Sequence, residues 1–153
     1  MKKAGLTTQG AGMKRYLIFA AIGPLIGGLI LLFVTTYQSG YWDQTSLAEV
    51  EKLFIVFGKS LQYSYLFGIV PSLMIGAIDD ILCHVRRIGP VVRMLMVGVV
   101  AFAATSLMYS SRGQDSGFVQ LGLYGLVGLV PGMLSSWLSH KYADEQKPVG
   151  STP

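Results

Sequence analysis

An all-α membrane protein with four transmembrane helices, both termini in the cytoplasm and one further amphipathic helix on the outer surface is the fold class that the sequence predicts. Three observations predict it. The chain has 153 residues, 52% hydrophobic and only 13% charged, which is too apolar for an ordinary soluble domain. Four stretches reach the ~20 apolar residues that a helix needs to cross a ~30 Å hydrocarbon core, and no alternating strand pattern competes with them. Lys and Arg lie at the ends of those stretches with a strong bias to one side. A mean hydropathy of +0.52 points the same way.

The first span covers residues 16–36. A basic start precedes it and no A-x-A cleavage pattern follows, so it reads as an uncleaved signal anchor. Residues 1–15 form a basic cytoplasmic tail, and nothing in residues 1–12 suggests structure. The segment that follows the span is more than a linker, because Ser46-x-x-Glu49 has capping-box form and Leu47, Val50, Phe54, Phe57 and Leu61 recur at helical spacing. Glu49, Lys52 and Lys59 fall on the other side. This pattern predicts an amphipathic helix over residues 46–61, lying on the outer membrane surface and running into the second span at residues 62–82. A lid over a substrate path is the alternative. A basic loop leads to the third span at residues 90–109, a short turn leads to the fourth at residues 118–139, and residues 140–153 form a polar cytoplasmic tail.

Counting cations sets the orientation. Lys2, Lys3, Lys14, Arg15, Arg86, Arg87, Arg93, Lys141 and Lys147 fall on one side, and only Lys52, Lys59 and Arg112 on the other. The positive-inside bias makes the first side cytoplasmic. The net charge of +4 therefore speaks for membrane orientation and not for a nucleic-acid partner. Tyr37, Tyr41 and Trp42 near one face and Trp137 and Tyr142 near the other fit interfacial anchors. The single cysteine, Cys83, excludes an intramolecular disulfide.

Within the spans, small residues recur at packing intervals: Gly23 and Gly27, then Gly68, Ser72 and Gly76, then Ala101 and Thr105, then Gly128 and Gly132. Such faces let helix backbones approach closely, within one chain or between protomers. Pro24, Pro71 and Pro131 each remove a backbone donor and should kink their spans. LFGIVPSLM from Leu66 and LVGLVPGML from Leu126 share G-[IL]-V-P sixty positions apart, which fits either a duplicated hairpin or shared bilayer composition.

The segments GPLIGGLI, YLFGIVPSLMIGAIDD and GLVGLVPGMLSSWL resemble those of small, uncharacterised four-span inner-membrane proteins from alphaproteobacteria. That resemblance implies a fold and a location and carries no activity.

The chemically unusual feature is Asp79-Asp80, near the cytoplasmic end of the second span, where two carboxylates face the negative end of the helix dipole. Asp80 continues the Gly68, Ser72, Gly76 row at steps of four, which points it toward another helix. Arg86, Arg87 and His140, with Arg93 and Lys141 on the same face, predict an ion-pair cluster, a proton or cation site and contact with a partner subunit being the other readings. Asp80, Cys83 and His84 sit at i, i+3 and i+4 with metal-ligand residue types, and His140 is within reach of them. Without a repeated Cys or His motif, no metal site and no cofactor are expected. Ser136 and His140 supply two members of a triad by type, but serines in bilayer helices usually bond their own backbone, so no enzyme is expected. The resulting expectation is a multi-pass accessory or scaffold subunit of the bacterial inner membrane, surrounded by lipid and associated with itself or with a larger complex. The alternative is a minimal transporter or channel using Asp79, Asp80 and the kinked helices.

Overall fold

A computed structural model describes residues 4–44, 46–85, 87–110 and 117–144 of the chain. Among them there is no strand. The elements are α1 (Ala4–Gln38), a 3-10 turn (Tyr41–Gln44), α2 (Leu47–Cys83), α3 (Pro90–Ser110), α4 (Phe118–Ser139) and a π turn (His140–Asp144). Four segments, Gly12–Gln38, Leu47–Cys83, Pro90–Met108 and Phe118–Ala143, are long and apolar enough to cross a membrane.

One element differs from the sequence expectation, and another joins two expected segments. Helix α1 begins at Ala4, so part of the expected unstructured start is helical. The outer helix and the second span are one unbroken helix of 37 residues, about 55 Å long. Ser46 N–H donates to the Glu49 carboxylate at 3.4 Å, one arm of the capping box that starts this helix.

The helices pack as a folded row in which α1 lies between α2 and α4, and α4 between α1 and α3, while α2 and α3 also touch. Small residues decide where the axes approach. In the α1–α2 hairpin Gly23 faces Ser72, a Cβ on Gly68 would lie 3.2 Å from Pro24 Cβ, and one on Gly76 would lie 3.2 Å from Phe19. In the α3–α4 hairpin Gly128 faces the Ala101 carbonyl and Thr105, and a Cβ on Gly132 would be 3.0 Å from Ala101 Cβ. Gly27 joins the two hairpins: a Cβ there would sit 3.5 Å from the Val127 carbonyl, whose usual donor is missing because Pro131 follows four residues later. Tyr65 hydroxyl donates to the Ala21 carbonyl at 2.8 Å, close to where Pro24 loosens the α1 ladder. Ser106 hydroxyl reaches the Leu121 carbonyl at 3.1 Å between α3 and α4.

Large apolar side chains cover the outside of the bundle. Leu66, Phe67, Val70 and Met74 of α2 and Val91, Val99 and Leu107 of α3 are exposed, whereas the interior is built from glycine, alanine, serine and a few larger residues such as Phe19 and Val97. An apolar exterior around a small-residue interior is the arrangement that lipid as solvent selects.

Candidate functional site

All four helices contribute to one charged cluster at the end of the bundle where α2 and α4 finish and α3 begins. Asp79 lies one turn before the end of α2 and is fully buried, at 0% exposure. Arg15 Nε of α1 lies 3.2 Å from Asp79 Oδ2, and Arg93 Nε of α3 lies 3.3 Å from Oδ1. Ser136 hydroxyl of α4 donates to the same Oδ1 at 2.5 Å. Both arginines are themselves buried. The neighbouring carboxylate, Asp80, is partly exposed and pairs with Arg15 Nη1, which also contacts Cys83 Sγ at 3.0 Å.

Local geometry explains the convergence. Gly23–Ser72, Phe19–Gly76 and Arg15–Asp80 are successive antiparallel contacts, each one step of four back along α1 and four forward along α2. The small-residue row that brings the hairpin together therefore delivers Arg15 to the acidic pair. Pro90 opens α3, and Arg93, one turn in, reaches the same depth from the other side. Burying an ionised carboxylate is tolerable only when counter-charges and hydrogen bonds replace its water, and Asp79 has all of these.

The cluster residues expected from the sequence divide as follows. Asp79 and Asp80 are brought to Arg15 and Arg93. Arg87 is exposed and makes no ion pair with either aspartate, being carried past the end of α2 by the turn after Cys83. Arg86 lies outside the described residues. His140 caps α4 and starts the π turn, its backbone N–H bonding the Ser136 and Trp137 carbonyls. Lys141 extends over the Trp137 and Tyr142 rings, 5.3 and 5.6 Å from their centroids. In the sequence Arg15 bears only on orientation and Ser136 is expected to bond its own helix; both belong to the cluster. Ser136 donates directly to a carboxylate, without the intervening imidazole that a triad requires. Two further serines of α4, Ser135 and Ser139, are fully buried, and their hydroxyls have no hydrogen-bond partner among the described residues.

A family model matches residues 13–145, a stretch that contains every member of this cluster; it describes a family of unknown function (DUF5413). The chain belongs to that family. No curated protein and no solved structure matches it significantly. Membership in DUF5413 therefore brings no activity with it, and the chemistry has to be read from the cluster.

Proposed function

We propose that this DUF5413 member is a multi-pass protein of the bacterial inner membrane, with both termini cytoplasmic, that serves as a non-enzymatic accessory or scaffold subunit. The observation that carries this reading is the state of Asp79. Among the described residues it is the only buried acid, and Arg15, Arg93 and Ser136 already engage both of its oxygens. A carboxylate held by two guanidiniums and a hydroxyl from three other helices acts as a clasp that fixes their register. A transport site needs a carboxylate free to exchange its partner, and a polar route leading to it. Beyond the clasp the described interior holds hydroxyls of serine and threonine but no further buried charged side chain, which supports a static role.

The orientation rests on the distribution of cations, of which Arg15 and Arg93 of the cluster are two. Nine of the twelve Lys and Arg fall at the clasp end of the chain map, so this end is cytoplasmic by the positive-inside bias. Purification in mild detergent with identification of co-purifying proteins, followed by ion-flux measurements in liposomes, tests the function. A stable heteromeric membrane complex without intrinsic flux supports the accessory reading. A homo-oligomer that conducts protons or cations overturns it.

A further inference from the structure

We propose that the last turn of α2 is a binding site for a borderline divalent transition-metal ion of the Zn2+ type, with Asp80, Cys83 and His84 as its ligands. One donor atom from each of the three residues lies within 4.8 Å of the other two. Metal–ligand bonds of ~2.0–2.3 Å place tetrahedral ligands about 3.5 Å apart, so side-chain torsions alone close the remaining distance. Cys83 Sγ is 3.5 Å from His84 Nδ1. The same Nδ1 is 2.7 Å from the Asp80 carbonyl, so ligation through Nδ1 needs the proton on Nε2 and a ring rotation that releases this carbonyl. A thiolate, an imidazole and a carboxylate together suit zinc-like ions far better than Mg2+ or Ca2+.

The position also selects cations. It is the C-terminal end of a long helix, the negative pole of its dipole. Two of the three ligands, Asp80 and Cys83, already contact one cationic group, Nη1 of Arg15. An incoming metal takes the place of that nitrogen while Arg15 Nε stays on the buried Asp79. Asp80 is part-exposed while Arg15 is buried, so a metal has to outcompete an ion pair that water screens from the Asp80 side alone. With three protein ligands and an exposed His84, the fourth coordination position is open to water or to an exogenous donor. The site is independent of the accessory reading, because a scaffold or a transporter can equally carry it.

The test uses the full-length protein in detergent, titrated with Co2+ as a spectroscopic probe and with Zn2+ by calorimetry. A thiolate-to-cobalt charge-transfer band in the near ultraviolet, lost on adding Zn2+, is expected for the parent and absent in Cys83→Ser. Zn2+ affinity should fall more than ~10-fold in Cys83→Ser and in His84→Ala, since losing a ligand costs more than losing an outer-shell partner. His84 is exposed, and circular dichroism of that variant checks that the helices are intact. Absence of the band in the parent, or Zn2+ affinity unchanged in both variants, overturns the proposal.

Discussion

Ser136 of α4 and Arg93 of α3 meet the same oxygen of Asp79, at 2.5 and 3.3 Å, so one buried carboxylate links the second, third and fourth helices while Arg15 adds the first at its other oxygen. Asp79→Asn preserves shape but removes the charge that two buried guanidiniums face. It should cost about 3–5 kcal/mol, the range for removing one partner of a buried ion pair. Asp80→Asn, at a part-exposed pair, should cost no more than ~1 kcal/mol. Thermal unfolding of the two single variants in detergent measures the difference. Equal costs would remove Asp79 from its special position, and a stabilised Asp79→Asn variant that has lost ion flux would support a transport site instead.

Arg15 engages Asp79 through Nε and Asp80 through Nη1, a fork that a lysine cannot reproduce. Arg15→Lys keeps the charge and should still lose about 1.5–3 kcal/mol, the value of one hydrogen bond to a charged group. Recovery of full stability with lysine in the same unfolding assay would show that charge alone is needed.

The glycine contacts make a sharper test because they come with internal controls. A Cβ at Gly128 would strike the Ala101 carbonyl and Thr105, whereas Gly58 and Gly122 have nothing within 4 Å. Gly128→Ala should destabilise by about 1–3 kcal/mol through overpacking. Gly58→Ala and Gly122→Ala should be neutral or gain up to ~1 kcal/mol from helix propensity. In the same unfolding assay, a neutral Gly128→Ala would mean that α3 and α4 are not held in close contact at Gly128.

Much of this fold can be read in the sequence because bilayer solvation imposes long apolar runs, and the four of them stand out without any tertiary information. The acidic pair was also visible, and Asp80 could be assigned toward a neighbouring helix from the row of small residues at steps of four. Its partner was harder to find. Arg15 looks like any flanking cation until the register of α1 against α2 is known, and Gly23 opposite Ser72 is the contact that fixes that register. Arg86 and Arg87 are nearer in sequence to the aspartates, but proximity along a chain that has just left a helix says little about proximity in space. The matched G-[IL]-V-P motifs carry a similar lesson: Gly68 and Gly128 each mark the close approach to the preceding helix, yet Pro71 is exposed while Pro131 is buried against α1.

Orientation is testable through Cys83, the single thiol, which lies at the clasp end and is partly exposed. In intact cells, membrane-impermeant maleimides should leave it unlabelled, and permeabilisation should restore labelling. A periplasmic reporter fused after Pro153 should be inactive, and one inserted within residues 41–46 active. The opposite pattern would invert the topology.

The unbroken α2 turns the outer segment into a question about two phenylalanines. At about 55 Å the helix exceeds a ~30 Å hydrocarbon core, so its first turns either tilt within the bilayer or project beyond it. Leu53 is buried and Phe57 is half-buried, with its ring 3.7 Å from where a Cβ on Gly28 would be, so this side of the segment packs on α1. Phe54 is 53% exposed and points away. A helix lying flat on the membrane would use Phe54 and Phe57 alike as lipid anchors, and Asp at either would release the outer loop to protease equally. Packing on α1 separates them. Phe57→Asp should lower thermal stability in detergent by at least about 2 kcal/mol, because a charge is forced into a helix contact while an aromatic one is lost. Phe54→Asp should leave detergent stability within ~0.5 kcal/mol and act only in the bilayer, where it raises protease accessibility of the loop. Two variants with the same behaviour in both assays would return the segment to the membrane surface.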